Sequence, residues 1–97
     1  MEADSLMSQD QRVARRALDA RVRNIGGRQH VARGRDVYEL SEVASRIWLL
    51  SDGSRTVDEI ASAIVEEFDV DLGQAQGDVR AFIEQLTEVG LMSWVSA

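Results

Sequence analysis

Residues Arg35–Leu40 run without a break into Ser41–Leu50, and this junction restricts the fold more than any other stretch. In Arg35-Asp-Val-Tyr-Glu-Leu40 the side chains alternate faces, as in a strand: Val37 and Glu39 fall on one side, Tyr38 and Leu40 on the other. From Ser41 the period changes. Val43, Ala44, Ile47, Trp48 and Leu50 recur at helical spacing and form one broad apolar face. Ser41 stands where its hydroxyl can accept a hydrogen bond from the first free N–H groups of that helix. Such a strand keeps an open edge unless later chain covers it.

Upstream, Asp19–Ile25 and Arg28–Arg33 alternate in the same way, joined by Gly26-Gly27, a two-glycine hairpin signal, and broken by Gly34. Three short antiparallel strands are therefore expected over residues 19–40. Residues 1–18 are polar, with Arg12–Leu18 sufficient for a turn or two of basic helix. They read as a flexible N-terminal tail, because isolated helices that short are marginal. Downstream, Asp52-Gly53 offers a stop for the first helix. Thr56-Val-Asp-Glu59 is a capping box that opens a second, with Val57, Ile60, Ala61, Ile64, Val65 and Phe68 on its apolar side. Asp71 with Gln74 caps a third, whose stripe is Ala75, Val79, Phe82, Ile83, Leu86 and Val89, ended by Gly90. Leu91–Val95 is a short final strand or extended tail. The predicted class is α+β: a three-stranded antiparallel sheet followed by three helices, a winged helix-turn-helix outline over residues 19–97.

Ninety-seven residues suffice for one domain with a small core. The absence of cysteine removes disulfides and thiolate metal sites, and one histidine, His30, leaves no histidine zinc site. No cofactor is expected. No glycine-rich phosphate loop, nucleophile elbow or paired catalytic carboxylate occurs, so no enzymatic activity is expected either. No apolar run approaches the ~20 residues that span a bilayer. Met1–Met7 lacks the basic start and apolar core of a secretory signal. A cytoplasmic chain without a membrane partner is expected. Net charge is −6, but residues 1–35 hold eight arginines against four acids and residues 36–97 three against thirteen.

The run Val37-Tyr-Glu-Leu-Ser-Glu-Val-Ala-Ser-Arg-Ile-Trp-Leu-Leu-Ser-Asp-Gly53 is followed in order by Arg55-Thr-Val-Asp-Glu-Ile60, Glu66-Glu-Phe-Asp-Val70, Asp78-Val-Arg-Ala-Phe-Ile-Glu-Gln-Leu86 and Gly90-Leu91. Together they closely resemble the PqqD-like family over roughly residues 35–92. Where this chain has Ser41 the family often has asparagine, and both residues cap helices. The resemblance implies a recognition element that binds the leader part of a ribosomally made precursor peptide. It would present that peptide to a maturation enzyme, such as a radical SAM protein or a leader peptidase. It further implies that the peptide lies on the third strand, at Arg35, Asp36, Val37, Tyr38, Glu39 and Leu40. The facing wall would be the third helix, at Asp78, Val79, Phe82, Gln85 and Leu86.

The residues bear other readings. A stripe such as Val79, Phe82 and Leu86 builds a core before it builds a groove. Asp78 alone is an ordinary solvated helix acid, and the arginines a solvated face or a steering surface for acidic partners. Gly77 either admits a close backbone or loosens a first turn. A helix-turn-helix outline also serves DNA-binding regulators. However, the second and third helices carry Asp58, Glu59, Glu66, Glu67, Asp78, Glu84 and Glu88 against Arg80, a surface that repels phosphate, and no nucleic-acid partner is expected.

Overall fold

The computed structural model describes residues 10–95. Its elements run β1 (Val13–Arg16), β2 (Arg21–Ile25), β3 (Arg28–Arg33), β4 (Asp36–Leu40), α1 (Glu42–Leu50), β5 (Asp52–Thr56), α2 (Val57–Phe68), α3 (Leu72–Glu88) and β6 (Met92–Trp94). They form two antiparallel three-stranded sheets, ordered β2-β3-β4 and β5-β1-β6, with three helices.

The expected meander is the first sheet. Gly26 and Gly27 both take positive φ in a two-residue turn between Ile25 and its partner Arg28, the geometry that matches the twist of paired strands. Gly34, at φ 60, turns Arg33 back onto Asp36. Arg35 lies in that turn, so the third strand of the meander begins at Asp36.

The second sheet departs from expectation. Residues 13–16 are the middle strand of β5-β1-β6, not a turn of helix in a tail. The part of the expected tail before Asp10 lies outside the described residues. Four residues of Val-Ala-Arg-Arg carry little strand signal; their pairing on both sides supplies it. Ala14 is buried there, and Val95 N–H donates to the Val13 carbonyl. Residues 52–56 form β5 where a loop between helices was expected. Gly53 does not close the first helix; Ser51 does, its N–H and hydroxyl both donating to the Ile47 carbonyl. Gly53 takes φ 87 where the β1–β5 register shifts, and a methyl group on it would touch the Arg15 side chain.

The helices follow the capping signals. Ser41 Oγ accepts from Ala44 N–H, Thr56 and Glu59 complete a reciprocal box, and Asp71 Oδ1 accepts from Gln74 N–H. At the end of α3, Gly90 N–H donates to Thr87 and Leu91 N–H to Leu86, a left-handed closure at φ 82. None of the three described helices carries a cation in its last turn. Two strand arginines supply one from outside: Arg16 donates to the carbonyls of Trp48 and Leu49, and Arg33 to that of Gly90. Ile47, Ile60, Ile64, Val57, Val79, Ile83, Val31 and Leu91 are fully buried and join the helices to both sheets.

Asp10 anchors the start of β1. It is 8% exposed, and its carboxylate accepts from Arg12 N–H and guanidinium and from Arg80 Nε, while Asp10 and Asp58 exchange two further hydrogen bonds. The hydrogen bonds from Arg12 hold its carboxyl below the ordinary range, against the opposing effect of burial. Asp10→Ala is expected to cost about 1.5–3 kcal/mol, the usual worth of hydrogen bonds to a charged group. The folded pKa lies below the unfolded one. The stabilisation is therefore complete above the ordinary carboxylate range and lost as pH falls through the folded value. Denaturant melts of wild type and variant should differ at neutral pH and converge in acid; a constant difference down to the acid limit contradicts this role.

Candidate functional site

β4 pairs with β3 alone among the described residues, so its other side is an open edge. Which groups point there follows from the hairpin. Arg33 and Asp36 close a two-residue turn and form the hydrogen-bonded pair; pairs then alternate along the ladder. Val31–Tyr38 and Gln29–Leu40 are bonded across, and Ala32–Val37 and His30–Glu39 are not. The N–H and C=O groups of Val37 and Glu39 thus face away from β3, without a strand to receive them.

Beneath this edge lies a groove of about 470 Å³ lined by Val37, Tyr38, Glu39, Leu40, Ser41, Ala44, Phe82, Gln85 and Leu86. This is within the size of ordinary ligand clefts. Tyr38 and Leu40 turn toward the helices from β4, and Phe82 and Leu86 rise from α3 on the far side. The α1 start, placed by the Ser41 cap, closes one end. Glu39 is neutralised across the sheet by Arg28, at 2.7 Å. The walls are otherwise apolar or uncharged.

Seven of the expected residues therefore meet in one place: Val37, Tyr38, Glu39, Leu40, Phe82, Gln85 and Leu86. Four do not line it. Val79 is fully buried and belongs to the core; it shares its side of α3 with Leu86 but lies two turns nearer the helix start, away from the residues that line the groove. Asp78 accepts a hydrogen bond from Gln74 Nε2 at 2.9 Å, one turn back on its own helix. Arg35 is in the hairpin turn and Asp36 opens the strand. Ser41 and Ala44 were missed as lining residues. Their positions as N-cap and first-turn residue of α1 are visible in the sequence, but not that this turn abuts α3. A methyl group at Gly77 would meet nothing within 4 Å, so Gly77→Ala should raise stability by about 0.5–1 kcal/mol in a thermal melt.

The sequence model of the family described as Coenzyme PQQ synthesis protein D (PqqD) matches residues 29–92, about two thirds of the chain. The chain belongs to the PqqD family. The matched span runs from β3 to the start of β6 and contains both walls of the groove. In fold the chain is similar to the solution structure of the PqqD truncation of Methylobacterium extorquens PqqCD. The TM-score is 0.72, at 20% sequence identity over 84% of this chain and 88% of that one. That structure is described as a functional, stand-alone recognition element for ribosomally synthesised and post-translationally modified peptides. No curated protein is significantly similar in sequence.

Among the described residues no group of three or more His, Asp or Glu is placed to hold a metal ion, and no helix is long and apolar enough to cross a membrane.

Proposed function

We propose that this PqqD-family chain binds the leader segment of a ribosomally made precursor peptide as an added strand on β4, on a winged helix-turn-helix scaffold, and presents it to a maturation enzyme. The observation that carries the reading is the coincidence of an unpaired strand edge with an apolar groove directly below it. Backbone groups of Val37 and Glu39 would supply sequence-blind hydrogen bonds, and the pockets beside Tyr38, Phe82 and Leu86 would select alternate side chains. A five-residue edge and a groove of this size suit affinities between micromolar and nanomolar, roughly −8 to −12 kcal/mol. No step of this reading needs chemistry from the chain, and it is a binding protein rather than a catalyst, acting in the cytoplasm where precursors are made.

A DNA-binding role is disfavoured by the acids of α2 and α3. Their one cation, Arg80, is itself held by Asp10.

The test is an NMR titration of the labelled chain with the synthetic leader of a short precursor peptide sought among the neighbouring open reading frames. Amides of Val37 to Ser41 and of Phe82 to Leu86 are expected to shift. Shifts confined to other surfaces would refute the site. Asp78→Arg tests the one charged wall residue expected from the family but found hydrogen-bonded within its helix. A leader affinity within about twofold of wild type is expected if Asp78 only serves Gln74, and a loss of tenfold or more, about 1.4 kcal/mol, if it meets the peptide.

A further inference from the structure

The same sheet has a second open edge. β2 pairs only with β3 among the described residues, and all five of its side chains are exposed. Ordering a strand costs conformational entropy that buried side chains normally offset; β2 buries none. Ile25 and Arg28 close its turn, so the alternation leaves the N–H and C=O groups of Val22 and Asn24 facing outward.

The two faces of this edge differ. On the helix side Val22, 43% exposed, overhangs a crevice of about 310 Å³ whose other walls include Leu40, Trp48 and Leu49, with Leu49 56% exposed. Ser45 also lines it, and its buried hydroxyl oxygen has no hydrogen-bond partner among the described residues. A further hollow of about 380 Å³ adjoins it at Trp48 and carries Leu18, 99% exposed, beside Arg15. On the opposite face Arg21 and Arg23 project from β2. Among the described residues no carboxylate pairs with Arg15, Arg21 or Arg23, whereas Arg12, Arg16, Arg28 and Arg33 all have partners.

We infer that the β2 edge is a second docking surface, for an extended segment of a partner protein whose residues alternate between apolar and acidic. A strand laid on β2 would point one set of side chains into the crevice beside Val22 and Leu49 and the other set toward Arg21 and Arg23. The first set must be apolar and the second anionic, by charge complementarity. A second copy of this chain is a poor occupant, since antiparallel β2–β2 pairing centred on the strand sets Arg23 against Arg23. Nucleic acid would use the guanidinium groups but leave the crevice and the strand edge unfilled. The surface lies two strand spacings, about 10 Å, from β4, so both edges can be occupied together, and it stands whether or not β4 takes a leader.

The test uses the labelled full chain and three probes: a synthetic peptide alternating valine and glutamate, the same peptide with lysine for glutamate, and a short DNA duplex. The acidic peptide is expected to shift amides of Val22, Asn24 and Leu49, and the lysine peptide to shift none. The double variant Arg21→Glu, Arg23→Glu should weaken the acidic peptide on the order of tenfold. Its thermal stability should stay near wild type, as both residues are exposed. Shifts only at β4 and α3, no shifts, or an unchanged affinity in the double variant would overturn the inference. A duplex that shifts the β2 amides more strongly than the peptide would overturn it in favour of nucleic acid. The leader titration repeated on the double variant separates the two readings. Unchanged leader shifts at β4 support a distinct surface, and their loss would make the arginines part of the leader site.

Discussion

Val37→Pro is expected to leave the domain folded and to weaken leader binding sharply, while Tyr38→Pro, one residue on, disrupts the sheet. The contrast follows from the ladder. Val37 N–H points to the open edge of β4 and donates nothing to β3, so proline there removes a donor the chain itself does not use. Edge strands tolerate proline on their solvent side, and Asp36 before it is already extended, as a residue preceding proline prefers. The stability cost should stay within about 1 kcal/mol, part of it from the φ adjustment. An incoming strand loses one backbone hydrogen bond and meets the pyrrolidine ring, so leader affinity should fall at least about tenfold, and by more where the ring blocks neighbouring pairs. Tyr38 N–H is spent on Val31 across the ladder, and its ring packs against the core. Proline there removes the ladder bond, leaves the Val31 carbonyl unpaired at about 1–3 kcal/mol, and displaces the packed ring as well. Calorimetric titration with the leader and a thermal melt of each variant decide the matter. A folded Val37→Pro protein that binds leader as tightly as wild type removes strand addition at β4 from consideration.

The second large effect separates core from groove on α3. Val79 has no exposed surface, and Val79→Asp would bury a carboxylate without a partner, a cost of several kcal/mol against a total stability of about 5–15 kcal/mol. The variant should be unfolded or melt tens of degrees lower, at about 4–8 °C per kcal/mol. Phe82, one turn on, is only partly buried and lines the groove. Its aspartate can reach water, so Phe82→Asp should keep the fold at a cost of about 1–2 kcal/mol. Leader affinity should nevertheless fall by on the order of a hundredfold, about 2.8 kcal/mol, because an apolar pocket becomes charged. Circular dichroism melts with leader titrations read both. If Phe82→Asp is as unfolded as Val79→Asp, the groove wall is core; if it folds and binds normally, the peptide does not lie against α3.

Much of this was legible in the linear chain because the signals are local. Ser41, the Thr56–Glu59 box, Asp71 and Gly90 mark helix ends through bonds that span a few residues, and the structure forms each of them. Gly26-Gly27 and Gly34 set two tight turns, and those turns decide which backbone groups of β2 and β4 face outward. The convergence of Tyr38 and Leu40 with Phe82 and Leu86 was reached through the resemblance rather than through spacing. The apolar stripe of α3 is continuous, and nothing in its period says which flank meets β4.

The tertiary structure alone decided the second sheet. Val13–Arg16 and Asp52–Thr56 are too short and polar to read as strands, and they are strands because each supplies the other's hydrogen bonds across some forty residues of chain. It also sorted the arginines. Arg12, Arg16 and Arg33 serve Asp10, α1 and α3, while Arg15, Arg21 and Arg23 find no carboxylate partner among the described residues, a distinction that depends on distances between remote elements. Local patterns therefore determined the helices, the hairpin turns and the direction in which the edge groups of β2 and β4 point. Long-range pairing and packing determined which surfaces those edges overhang, because such contacts join residues whose adjacency leaves no mark on their neighbours in sequence.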